Sequence, residues 1–161
     1  MWWDEKIDIL KREFPRDHFR VPFSDWSGIL KKIETKFFKH SREYRFTYWS
    51  ESLNGKRPIR SISRLEVGKE IAKLTSEENY WVIIALSPNN PTTEHYVYDC
   101  KIDAVTALIS IAPADFYLGD KKYEWLAYFK VDRAENRMVL INAGNSPTPF
   151  DPPAGSILPN P

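Results

Sequence analysis

The thirty residues from Asp115 to Gly144, DFYLGDKKYEWLAYFKVDRAENRMVLINAG, constrain the fold more than any other part of the chain. They read as three successive strands, Asp115–Leu118, Tyr123–Val131 and Arg137–Ala143, with aromatic side chains on the inward face. In the middle strand Trp125, Ala127, Phe129 and Val131 share one face, opposite Glu124, Leu126, Tyr128 and Lys130. That is the period-2 alternation of a sheet. Residues Asp132–Asn136 close a hairpin between the last two strands.

The remaining elements follow from periodicity and punctuation. Trp3, Ile7, Leu10 and Phe14 form one stripe of an amphipathic helix that Pro15 stops. Ser24 and Asp25 offer N-cap oxygens before a second helix carrying Trp26, Ile29, Leu30, Ile33 and Phe37 on one face. Arg42–Ser50 alternates Tyr44, Phe46 and Tyr48 against Arg45, Thr47 and Trp49, as a strand does, and is bounded by the Asn54-Gly55 turn signal. After Pro58 the chain is basic and irregular. Ser63 and Glu66 then have the spacing of a capping box, predicting a helix to about Leu74 with Val67, Ile71 and Leu74 inward. Tyr80–Leu86, YWVIIAL, is apolar on both faces, which marks a central strand. A short strand at His95–Tyr98 precedes a helix at Lys101–Ile111, with Asp99 as its cap and Ile102, Val105, Leu108 and Ile109 buried.

This order predicts an α+β fold: one mainly antiparallel sheet of five or six strands packed by three to four helices. The single domain spans residues 1–145. Residues 146–161 hold six prolines and read as a proline-rich, polyproline-like arm.

Composition narrows the function classes. No window approaches the roughly 18 apolar residues of a membrane span, and the acidic, helical first residues do not read as a signal peptide. Cys100 is the only cysteine, which excludes an intrachain disulfide and points to a reducing cytoplasm. The net charge of +1 is unevenly placed. Lys31–Lys73 carries twelve Lys/Arg against five Asp/Glu, whereas Leu74–Pro161 carries six against eleven. A basic middle and an acidic second half predict a polarised surface.

Catalytic signals are sparse. His95, Asp99, Cys100 and Asp103 form the densest cluster of reactive types, able in principle to hold zinc or build a nucleophilic site. No CxxC or HExxH pattern supports it, so the structural reading is preferred. His18 and His40 read as surface histidines. There is no GxGxxG, GxxxxGK[ST] or GxSxG, and no cofactor or metal is called for. The basic segment is the stronger lead: Lys56, Arg57, Arg60 and Arg64, with Tyr48 and Trp49, combine cations and flat rings. Protein hot spots and nucleic-acid sites both use that mixture, and a solvated basic loop would show it too.

The wording Asp115-Phe116-Tyr117-Leu118, then Lys122-Tyr123-Glu124-Trp125-Leu126, resembles a group of small bacterial cytoplasmic proteins of unknown function over roughly residues 101–144. In that group the second strand continues into Asn-His-His, where this chain has Ala127-Tyr128-Phe129-Lys130, so no site is carried over. The resemblance implies an immunity-type protein that neutralises a cognate toxin by occluding it. The expectation is therefore a non-enzymatic protein-binding domain using Tyr48, Trp49, Lys56, Arg57, Arg60 and Arg64. A nucleic-acid-binding accessory domain using residues 31–73 is the alternative, and an enzyme with a dispersed site a further one.

Overall fold

A computed structural model of the protein describes residues 3–22, 24–39, 49–85, 96–112, 114–144 and 147–151. Its elements are α1 (Trp3–Arg12), β1 (Phe19–Arg20), α2 (Trp26–Phe37), a 3-10 turn (Trp49–Ser52), β2 (Arg57–Ser63), α3 (Arg64–Ile71), β3 (Tyr80–Ala85), β4 (Val97–Cys100), α4 (Ile102–Ile111), β5 (Asp115–Asp120), β6 (Leu126–Asp132) and β7 (Arg137–Asn142). Among the described residues seven strands form one sheet in the order β1-β4-β3-β5-β6-β7-β2, and every pair is antiparallel. The α+β class holds, with one or two strands more than the sequence predicts.

Strand alternation divides the core in two. Tyr80, Val82 and Ile84 of β3, Phe116 and Leu118 of β5, and Ala127 and Phe129 of β6 face one side, where α1, α3 and α4 bury them. Trp81, Ile83, Tyr117, Leu126 and Tyr128 face the other, under Ile29, Leu30, Ile33 and Phe37 of α2. The two-faced reading of β3 is therefore correct. The reading of β6 is too narrow, because both of its faces are covered: Phe116 stacks on Phe129 with centroids 4.5 Å apart on one side, and Tyr117 on Tyr128 at 4.6 Å on the other. On the first side α1 is anchored by Trp3, whose Nε1 donates to the Tyr98 hydroxyl at 2.6 Å.

Local signals perform well where the partner lies within a turn. Ser63 caps α3: its Oγ accepts from the Glu66 N–H at 3.3 Å, and Glu66 Oε2 accepts from the Ser63 N–H at 2.8 Å. That last bond is the main reason the Glu66 carboxyl lies below its ordinary pKa. Replacing Ser63 with Ala is expected to cost about 1 kcal/mol, read from the urea midpoint. The helix stops at Ile71, yet Val67, Ile71 and Leu74 are all buried as predicted. Gly55 supplies the positive φ of 50° that the Asn54-Gly55 turn requires.

The structure corrects or refines the sequence at four places. The basic stretch after Pro58 is a strand, β2, paired with β7 from Arg57↔Asn142 to Ser63↔Arg137. Phe19–Arg20, to which the sequence assigns no element, pairs with Asp99 and Cys100. Asp99 lies within β4 and does not cap α4; Lys101 takes that position without a side-chain bond. Asp25 occupies the N-cap of α2, again without a side-chain cap bond. The predicted strand Arg42–Ser50 lies outside the described residues except for the backbone of Trp49 and Ser50, as do His40, His95 and residues 152–161 of the proline-rich arm.

The beginning of that arm is part of the core. Phe150 is fully buried and meets Trp125 and Phe129 edge-on, at 5.7 and 5.6 Å between centroids. Asp151 secures it, accepting from Asn142 Nδ2 at 2.7 Å and from the Thr148 N–H at 2.8 Å. Thr148 Oγ1 donates to Asn142 Oδ1 at 2.9 Å, so a buried amide on β7 is satisfied by the tail.

Candidate interaction surface on the edge strand

Among the described residues strand β2 is the outer edge of the sheet, and α3 begins directly after its last residue. That strand and the corner it makes with α3 carry the cations singled out in the sequence, but do not display them equally. Lys56 and Arg64 are exposed. Arg57 is half-exposed and donates from Nη1 to Asp151 Oδ1 at 3.3 Å, tying the edge to the C-terminal segment.

Arg60 is occupied internally. Its Nη2 lies 2.5 Å from Glu70 Oε1, while Lys73 Nζ donates to Glu70 Oε2 at 2.8 Å. Burial alone would raise the Glu70 carboxyl, but the hydrogen bonds from Arg60 and Lys73, reinforced by their charges, hold it below its ordinary value. Arg60 therefore serves as a structural bridge from β2 to α3. The expected ring partners give less: Tyr48 and the Trp49 side chain lie outside the described residues.

Two further residues shape the corner and escaped the sequence reading. Leu65, in the first turn of α3 beside Arg64, is 91% exposed. Arg137 reaches from β7 to Ser61 on β2, with Nε donating to Oγ at 3.0 Å and Nη2 to the carbonyl at 3.1 Å. The exposure of Leu65 is visible in the sequence only as a break in the inward stripe Val67, Ile71, Leu74. Nothing local points from Arg137 to Ser61. Pro58 and the register shift between Pro58 and Arg60 make this edge irregular for backbone pairing.

Of the reactive cluster, the three described members, Asp99, Cys100 and Asp103, are dispersed. Asp99 and Cys100 are neighbours on β4 and point to opposite faces. Asp99 accepts from Asn79 Nδ2 at 2.8 Å and Lys121 Nζ at 2.6 Å. Burial, with the nearby charges of Asp99 and Asp103, pushes the Cys100 thiol well above its ordinary pKa, away from thiolate chemistry. Asp103 instead meets His18 Nδ1 at 2.8 Å. Among the described residues no three His, Cys, Asp or Glu side chains converge as metal ligands, and no helix is long and apolar enough to cross a membrane.

The chain belongs to a family described as "Family of unknown function (DUF6756)", which matches residues 6–139. That span contains the whole segment from Lys56 to Leu65 and ends inside β7. No curated protein and no solved structure matches the chain.

Proposed function

We propose that the protein is a non-enzymatic binding module that engages another protein through the β2–α3 corner. The observation that supports this is the position of the cations: among the described residues they lie along the outer strand of the sheet, with Lys56 exposed just before its first residue and Arg64 and Leu65 exposed together where it meets α3. Arg64 supplies the planar donor that interfaces favour, and Leu65 the adjacent apolar contact. Their charge selects an acidic partner surface.

The most concrete form of this reading is an immunity-type protein of the bacterial cytoplasm that occludes a cognate toxin. It is supported by the resemblance in residues 101–144, and the reducing compartment by the single, free cysteine Cys100.

A variant combining Lys56→Glu, Arg64→Glu and Leu65→Asp is expected to fold normally. It should weaken a purified complex with the partner by roughly 30-fold or more, the factor for an interface hot spot of about 2 kcal/mol. Capture of the same proteins by wild type and variant would sink the reading. A captured toxin-like protein that keeps its activity in the complex would remove the immunity form alone. Oligonucleotide binding that falls steeply with salt and depends on Lys56 and Arg64 would move the reading to nucleic acid.

A further inference from the structure

A second site lies at the end of the sheet where β3 starts and β5 ends, on different residues from the edge corner. A cleft of about 560 Å³ opens there between the turn after α3, the β5–β6 loop and Pro149 of the C-terminal segment. Its size is that of a small-molecule pocket, within the range of roughly 300–1,000 Å³.

The loop that forms one wall is built firmly. Asp120 Oδ1 accepts from the N–H groups of Glu124 at 2.7 Å and Trp125 at 3.2 Å. Between them Tyr123 adopts φ of 57°, a left-handed conformation costly for a bulky side chain. Lys32 Nζ of α2 lies 5.5 Å from the Tyr123 ring centroid. Lys121 is drawn away to Asp99 and lies 3.4 Å above the Trp81 ring. The loop thus holds Lys122 and Glu124 at the cleft, on either side of a residue fixed in a strained conformation.

The charges of the lining decide the class of ligand. Lys73, Lys121 and Lys122 balance Glu78, Asp120 and Glu124. Lys73 and Lys121 are held by Glu70 and Asp99, and Asp120 by backbone donors. The side chains of Lys122 and Glu124 form no ion pair among the described residues, and Glu78 has only a 3.5 Å contact from the Tyr80 hydroxyl. A purely anionic ligand would meet Glu78 and Glu124 unfavourably, and a purely cationic one would meet Lys122. A ligand carrying both charges gains from both. Leu74, Trp125 and Pro149 offer apolar surface for the part between them. We propose that this cleft binds a short zwitterionic peptide, its carboxylate on Lys122 and its ammonium toward Glu78 and Glu124. The volume suits roughly two or three residues.

The test uses the full chain, calorimetry, and trialanine in four forms: free, N-acetylated, C-amidated and blocked at both ends. Free trialanine is expected to bind, with either block weakening it about tenfold, the factor for one lost charge contact of about 1.4 kcal/mol. In Lys122→Gln the free and C-amidated forms should bind equally weakly, and in Glu124→Gln the N-acetyl block should matter less. Unchanged thermal unfolding of both variants keeps these comparisons meaningful. The edge-corner triple variant should retain peptide binding, which separates this site from the protein-binding one. No heat from free trialanine at millimolar concentration, or equal binding of free and doubly blocked forms, would overturn the proposal.

Discussion

Phe150→Ala is expected to destabilise the protein by about 3–5 kcal/mol, a large part of the roughly 5–15 kcal/mol available to a domain of this size. The ring is fully buried against Trp125 and Phe129, both on β6 or at its start. Truncation would leave a void that the sheet cannot close, because β6 is pinned between β5 and β7. Removing residues 147–161 should cost at least as much, since Asn142 would also lose Thr148 and Asp151. Urea denaturation at constant pH measures both. A loss under about 1 kcal/mol for Phe150→Ala would show that the tail only rests on the sheet.

Glu70→Ala should cost about 1–3 kcal/mol. Removing one partner of a buried ion pair costs more than that when both groups are enclosed, but Arg60 is 32% exposed and water recovers part of the loss. The same carboxylate makes stability depend on pH. Its folded pKa lies below the ordinary 4.5, so its contribution is complete above that value and disappears as pH falls through the lower, folded one. Glu70→Gln should therefore be less stable than wild type at neutral pH, with the gap closing as the pH drops below about 4.5. A gap constant from neutral to strongly acidic pH would contradict the pairing of Glu70 with Arg60 and Lys73.

Much of the fold was legible because its causes are local. The capping box at Ser63 and Glu66 spans three residues, and the stripe of α2 repeats within a turn. The composition of YWVIIAL announces burial on both sides without reference to anything distant. What was missed depends on partners far along the chain. Arg57–Ser63 looks like a basic loop interrupted by proline, and becomes a strand only because β7 pairs with it. Asp99 resembles a cap in the sequence, but Asn79 and Lys121 hold it in a strand. Of the candidate site, the segment was legible but its internal division was not. Arg57 meets Asp151 across 94 positions and Arg60 meets Glu70 on another element, so the cations left for a partner are fewer than composition implied.

The pairing of β2 with β7 also sets a clock. Residues 57–63 are made early, but the strand that zips them into the sheet is 137–142. At roughly 5–20 residues per second, a growing chain carries the early segment unpaired for several seconds. Closing so long a loop is entropically late as well as temporally late. The edge that we assign to partner binding therefore comes into being near the end of folding, and an unfinished copy has no such edge to offer.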